Sequence, residues 1–275
     1  MSRIAATFDR LRRERRAGLI TYTTAGDPDL RRSGDVLLAL DRAGADLLEV
    51  GVPFSDPMAD GPVIQRATER ALRAGSNLGA VLDLIAGLRP HLNAAVVVFS
   101  YANPIFKAGA EAFADRAARA GVDGVLVLDL PIEEAESFRT TAGAAGIDTI
   151  FLLSPTTTDD RMRRAGELGS GFLYGISRLG VTGARDRVAT GAAALVRRIR
   201  SHSTLPVAVG FGISRPAHVA EVASYADAVV VGSALVSVIA EHGQSDALVR
   251  RVEDYVRGLR TGLTGARSMV GQADL

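Results

Sequence analysis

The chain contains no cysteine, which excludes disulfides, thiol nucleophiles and thiolate-bound metals. It has one lysine, Lys107, so the other 31 of its 32 basic residues are arginine. That skew reads as a codon-usage bias rather than as a functional signal. Neither sign of charge is in excess: 32 basic and 31 acidic residues leave a net charge of +1, which argues against nucleic acid or an anionic membrane as partner. No apolar run approaches the ~18 residues of a membrane span. The Arg-rich start (Phe8, Leu11, then Arg12 to Arg16) has no apolar signal core, so a soluble, cytoplasmic protein is expected. There are four histidines, His91, His202, His218 and His242. All fall in helical or inter-element stretches expected at the surface, so a histidine base is not indicated. No His-x-x-x-His spacing suggests a metal, and no Gly-x-Gly-x-x-Gly after the first strand suggests a dinucleotide.

What is present is an alternation of short apolar strands with helical patterns. Strands are expected at Leu19–Thr23, Asp46–Val50, Ala95–Ser100, Val122–Leu128, Thr149–Leu153, Gly171–Ile176, Pro206–Val209 and Ala228–Val231. The helical patterns between and after them are Asp29–Ala43, Val63–Arg73, Ala110–Ala120, Glu133–Ala145, Asp159–Leu168, Ala192–Ser201, Pro216–Ser224, Ala234–His242 and Leu248–Leu259. Eight strand–helix units in one chain of this length match a (β/α)8 TIM barrel, an α/β fold, with an extra N-terminal helix and a short helix after strand eight. A doubly wound open sheet is the alternative. One domain over residues 1–275 is expected, with 261–275 as a frayed tail. The phrases Ala-Gly-Ala-Asp at 43–46, Ala-Gly-Val-Asp at 120–123 and Ala-Gly-Ile-Asp at 145–148 recur before strands two, four and five. Each supplies a helix-ending glycine.

In such a barrel the chemistry sits at the C-terminal strand ends. Glu49 interrupts the apolar run Leu47, Leu48, Val50. An unpaired buried charge costs roughly 3–5 kcal/mol, so the position favours a carboxyl with a raised pKa suited to proton transfer. Asp60 alone reads as turn chemistry before Pro62; sharing a strand end with Glu49 raises its interest, while Asp56 stays undecided. Gly210, Gly212, Gly232 and Ser233 follow strands seven and eight. They let backbone N–H groups approach an anion at a helix N-terminus. Gly183, in the long Gly/Thr/Arg stretch Ser177–Thr190, could close over the same anion, and that stretch is expected to act as a mobile lid. Lys107 lies past strand three and is expected at the surface. The residues by themselves reach a cofactor-free, phosphate-binding barrel with a carboxylate acid/base, and do not name a substrate.

The chain resembles the tryptophan synthase alpha subunits from about residue 5 to about residue 260. The phrases are Thr-Ala-Gly-Asp-Pro-Asp at 24–29, Glu-Val-Gly-Val-Pro-Phe-Ser-Asp-Pro-Met-Ala-Asp-Gly-Pro-Val-Ile-Gln at 49–65, Tyr-Ala-Asn-Pro-Ile at 101–105, Asp-Leu-Pro at 129–131, Ser-Arg-Leu-Gly-Val-Thr-Gly-Ala-Arg at 177–185, Val-Gly-Phe-Gly-Ile-Ser at 209–214 and Val-Val-Gly-Ser-Ala-Leu-Val at 230–236. The resemblance implies retro-aldol cleavage of indole-3-glycerol phosphate to indole and glyceraldehyde 3-phosphate. It gives Glu49 the proton shuttle and Asp60 the indole N–H. It sets Tyr174 near the glycerol chain, Phe211, Phe99 and Leu126 around the indole ring, and Gly183, Gly212, Gly232 and Ser233 around the phosphate, with Thr182 bonding Asp60 in a closed state. It implies no cofactor or metal in this chain, and a beta-subunit partner in an alpha-beta-beta-alpha heterotetramer that carries its own pyridoxal phosphate. A standalone lyase, or a barrel kept as an activator of the partner, are the alternatives. Departures are few: Met58 stands for a usual Leu, Tyr22 for a frequent Phe, and Ser100 and Ser154 are less usual small residues.

Overall fold

The computed structural model describes residues 2–176, 191–210 and 212–265. Eight parallel strands close into a barrel in sequence order: β1 (Gly18–Thr24), β2 (Leu47–Gly51), β3 (Ala95–Ser100), β4 (Gly124–Val127), β5 (Asp148–Leu153), β6 (Leu173–Ile176), β7 (Val207–Gly210) and β8 (Ala228–Val231). The helices are α1 (Arg3–Arg13), α2 (Leu30–Ala43), α3 (Pro62–Arg73), α4 (Leu78–Leu88), α5 (Ala102–Ala108), α6 (Ala110–Ala120), α7 (Ala135–Ala144), α8 (Asp159–Leu168), α9 (Ala192–Arg200), α10 (Pro216–Ala223), α11 (Ser233–His242) and α12 (Leu248–Gly265). The closed barrel, not the open sheet, is the fold. Sequence periodicity missed α4 and α5, which lie in the connections before and after β3. It also ended the last helix at Leu259, whereas α12 runs on to Gly265, so the first five residues of the expected tail are helical; residues 266–275 lie outside the described residues.

Side-chain alternation along the strands sorts two cores. On β2, Leu48 and Val50 face outward into the layer shared with the helices. Leu47 faces inward with Ile20, Ala95, Val97, Leu126, Ile150, Ala208 and Val230. Helix α1 plugs the N-terminal mouth: Ile4, Phe8 and Leu11 join that inner core, and the Phe8 ring sits 5.7 Å from Phe172. The barrel interior is thereby filled at the bottom, which leaves the top as the end where a site can form.

The bottom turns repeat one chemistry. Gly44, Gly121 and Gly146 have φ of 91°, 79° and 78°, the left-handed backbone that glycine adopts without penalty. The aspartates two residues on add a device that the sequence pattern does not reveal. Asp46 accepts from the Leu19 amide at 3.0 Å and from Arg16 at 2.7 and 2.8 Å. Asp123 accepts from the Val96 amide at 2.8 Å, and Asp148 accepts from the Ser2 hydroxyl at 2.5 Å. Asp227 repeats the pattern on the Val207 amide at 2.9 Å. For Asp46, burial pushes the carboxyl pKa up, but Arg16, the Leu19 amide and Arg10 together hold it below its ordinary value.

At the other end, Asp27 is buried and takes a two-pronged bond from Arg70 at 2.7 and 2.8 Å. This ties the segment after β1 to α3, the helix that starts two residues past Asp60. His218 is buried rather than at the surface as expected. Its Nδ1 accepts from the Ser214 amide at 3.4 Å, while Tyr255 donates to the Ser214 carbonyl at 3.1 Å. The turn carrying Gly212 is held from both sides.

Candidate active site

The open end of the barrel encloses a cavity of about 350 Å³, within the range of small-molecule sites. Glu49 and Asp60 both line it. So do Tyr22, Phe99 and Tyr174 from the strands, and Gly212, Ile213, Gly232, Ser233 and Ala234 from the segments after β7 and β8. Ile64, Leu128, Leu152 and Ile176 supply further apolar wall.

Glu49 sits in the middle of β2, in register with Tyr22 on β1 and Val97 on β3. It is 1% exposed, and neither carboxylate oxygen has a hydrogen-bond partner among the described residues. Desolvation alone pushes its pKa up to about 8. A folding sequence gains nothing from such a group, because replacing it with Val would remove the cost. Asp60 follows two short turns, with its amide bonded to the Pro57 carbonyl at 3.0 Å. Burial raises its pKa to about 6, against the lowering effect of a 3.2 Å bond donated by Tyr101. The same Tyr101 hydroxyl accepts from the Ala59 amide at 3.0 Å. Tyr101 thus fixes both the backbone and the carboxylate of the Asp60 turn. Tyr101 directly follows the expected strand Ala95–Ser100, and the sequence assigns it no role; a phenol at a barrel mouth is the available signal.

Of the other expected site residues, Tyr174, Phe99, Gly212, Gly232 and Ser233 all meet at the cavity. Leu126 does not. It belongs to the packed inner core beneath, and the next inward-facing residue of the chain, Leu128, reaches the cavity instead. Alternation along the strand accounts for the two-residue offset. Phe211, Thr182 and Gly183, with the whole Ser177–Thr190 stretch, lie outside the described residues. Gly210 is not a cavity residue. A β-carbon there would collide with the Tyr174 hydroxyl and lie 2.8 Å from Tyr174 Cε2, so its glycine makes room for that ring. Asp56 is exposed and accepts from Ser55 at 2.6 Å, away from the cavity. Lys107 is exposed on α5, as expected. Gly212 has φ of 71°, and Ser233 opens the ten-residue α11, whose first amides have no intrahelical partner and suit an anion. Among the described residues no cluster of three or more His, Asp or Glu could hold a metal ion, and no helix is long and apolar enough to cross a membrane.

Fold and site together define a (β/α)8 barrel enzyme with two unequal carboxyls facing an apolar cavity and a glycine-lined rim. The model of the family described as tryptophan synthase alpha chain matches residues 8–264. A tryptophan synthase alpha chain of Geotalea uraniireducens is 49% identical over 263 residues, covering 96% of this chain and 98% of the relative. One of Gloeobacter violaceus is 49% identical over 252 residues, covering 91% of each. Among solved structures, the alpha subunit of Legionella pneumophila superposes with a TM-score of 0.89 at 36% identity, covering 96% of this chain and 99% of its own. A chain of the α2β2 tryptophan synthase complex of Pyrococcus furiosus gives 0.84 at 41% identity, covering 89% and 98%. The chain belongs to the tryptophan synthase alpha chain family.

Proposed function

We propose that the chain cleaves indole-3-glycerol phosphate to indole and glyceraldehyde 3-phosphate, as the alpha subunit of a tryptophan synthase. The observation that carries this is Glu49: a fully buried carboxyl without a partner among the described residues, facing a cavity that also holds Asp60 and the glycine rim. With its pKa near 8, Glu49 is largely protonated at neutral pH and starts as the acid. It donates its proton to indole C3. The positive charge that develops at the ring nitrogen is met by Asp60, whose pKa near 6 leaves it ionised. The Glu49 carboxylate then takes the proton from the hydroxyl on the attached glycerol carbon. The C–O electrons form the aldehyde, the carbon–carbon bond breaks, and its electrons neutralise the ring. One proton is given and one taken, so the group returns to its starting state. Two carboxyls with pKa values pushed apart are what such a division of labour needs.

The phosphate is assigned to the amides at Gly212, Gly232 and Ser233, with Gly183 closing over it and Thr182 bonding Asp60. Tyr174 flanks the glycerol chain, and Phe99 and Phe211 wall the indole. No step of this acid–base route calls for a cofactor in this chain; pyridoxal phosphate would belong to a beta subunit. The exposed apolar Met58 and Phe106, in the segments after β2 and β3, support a docking partner at the barrel mouth, where indole would leave. The reading places the chain in the cytoplasm. The test is an assay of purified chain on indole-3-glycerol phosphate with and without a beta subunit: indole release that the partner accelerates supports the reading, and no release in either case refutes it.

A further inference from the structure

Gly51 is the inward-facing residue of β2 next after Glu49, and it lines no part of the cavity itself. Its register neighbours are Thr24 on β1 and Phe99 on β3. The missing side chain leaves a notch between them. Tyr22, one layer below in register with Glu49, leans up along its strand and fills that notch. A β-carbon at Gly51 would collide with the Tyr22 hydroxyl oxygen and lie 2.8 and 2.9 Å from ring atoms Cζ and Cε2. The hydroxyl is shared with Thr24 Oγ1 at 3.4 Å, and the ring meets Phe99 edge-on at 5.1 Å. At its other end, Tyr22 lies against Gly232, where an added β-carbon would sit 3.6 Å from Tyr22 Cβ. One ring therefore runs from the anion rim to the aromatic wall. How deeply it seats over Gly51 sets how much of the cavity is left.

We propose that Gly51 is a specificity-determining residue: by seating Tyr22, it sets the width of the subsite for the aromatic ring without touching the substrate. The inference rests on the reading of this cavity as the indole-3-glycerol phosphate site. Gly51 has no positive φ, so its backbone accepts alanine, and the cost of Gly51→Ala falls on the Tyr22 ring. Phe99 and Thr24 bound the notch on either side, so the displaced ring moves into the cavity. Overpacking is absorbed by shifted side chains, here by the Tyr22 ring, and the space the ring takes is lost to the aromatic substrate. The expectation is confined to the aromatic substrate.

The test is the reverse condensation of indole with glyceraldehyde 3-phosphate, which reports a KM for each half of the substrate. Gly51→Ala should raise KM for indole roughly tenfold or more, while KM for glyceraldehyde 3-phosphate stays within about twofold. Tyr22→Phe added to Gly51→Ala removes the colliding oxygen but leaves the ring atoms, and should restore part of the indole affinity. Tyr22→Leu added to Gly51→Ala removes both, and should restore more. An unchanged KM for indole in the folded variant, equal changes for both substrates, or no rescue by either second substitution would overturn the proposal. Should Gly51→Ala fail to fold, Tyr22→Leu alone carries the test. It should raise kcat/KM for ring-methylated indoles relative to indole by several-fold, and an unchanged ratio would contradict the proposal. If the parent chain makes no indole-3-glycerol phosphate at all, the reading of the site falls instead, and the two failures are distinct.

Discussion

At Glu49, buried at a position that packing would give to valine, function and stability pull in opposite directions. Glu49→Gln should leave the fold intact and cut indole formation by about 10²–10⁴-fold, as loss of a general acid/base does; near-normal turnover of the purified variant would remove the assignment. The same substitution has a stability signature. A carboxyl whose folded pKa is raised from 4.5 to about 8 stabilises the fold fully below pH 4.5, and that contribution is lost as pH rises through 8. Denaturant titrations of parent and Glu49→Gln at pH 5 and pH 8 should therefore diverge, the variant gaining on the parent by on the order of a few kcal/mol at the higher pH. A constant gap contradicts the buried, unpartnered state. For catalysis, kcat/KM should be bell-shaped, rising through about 6 as Asp60 ionises and falling through about 8 as Glu49 does. Tyr101→Phe removes the bond that lowers the Asp60 pKa, so its acid limb should move upward; a limb that stays in place would leave Tyr101 as mere packing. Asp60→Asn should lower kcat by roughly 10²–10³-fold through lost charge stabilisation, and a few-fold loss would return Asp60 to its turn. Glu49 was legible in the sequence because a charge in an apolar run is physically anomalous. Asp60 was not legible without its neighbour, since an aspartate before Gly-Pro is ordinary turn chemistry. Leu126 and Leu128 could not be told apart, because strand periodicity gives a face and not a height within the barrel.

Between strands and helices, the repeated bottom turns join helix end to strand start through a glycine and an aspartate. The helix-ending glycines of the Ala-Gly-x-Asp phrases were readable from composition. The grip of Asp46 and Asp123 on an amide of the preceding strand was not, because it depends on which strand lies alongside. Asp46→Ala leaves the part-buried Arg16 with Glu14 as its remaining carboxylate and orphans the Leu19 amide; it should cost roughly 1–3 kcal/mol, read as a lowered denaturation midpoint with turnover of the folded fraction unchanged. The acid side follows with the opposite sign to Glu49: a depressed pKa gives stability above about 3.8 that is lost as pH falls through the folded value. Helices α4 and α5 escaped periodicity reading for different reasons. The α5 pattern is only seven residues long, and α4 is apolar on most of its surface, so neither shows a clean stripe. At the proposed phosphate rim, Gly212→Val meets a left-handed backbone, so it strains the turn as well as crowding any anion held there. Gly232→Ala meets only ordinary contacts within the protein, and is the cleaner probe. It should raise KM for indole-3-glycerol phosphate far more than KM for indole in the reverse condensation. An equal rise in both would move the anion elsewhere.

Over the whole molecule, the barrel was readable because eight apolar runs alternate with helical patterns in one uninterrupted chain, and a parallel sheet covered by helices has one closed solution at that number. The filled bottom and open top follow from α1, whose amphipathic pattern did not say which mouth it would plug. The central claim is that Glu49 and Asp60 perform acid–base cleavage in that open mouth. It is tested most directly by single-turnover indole release from indole-3-glycerol phosphate, in parent and Glu49→Gln, across pH 5 to 9 with a beta subunit present. The account predicts a bell with limbs near 6 and 8 in the parent and a loss of about 10²–10⁴-fold in the variant at every pH. A parent rate that keeps climbing above pH 8, or a variant that releases indole at the parent rate, would contradict it.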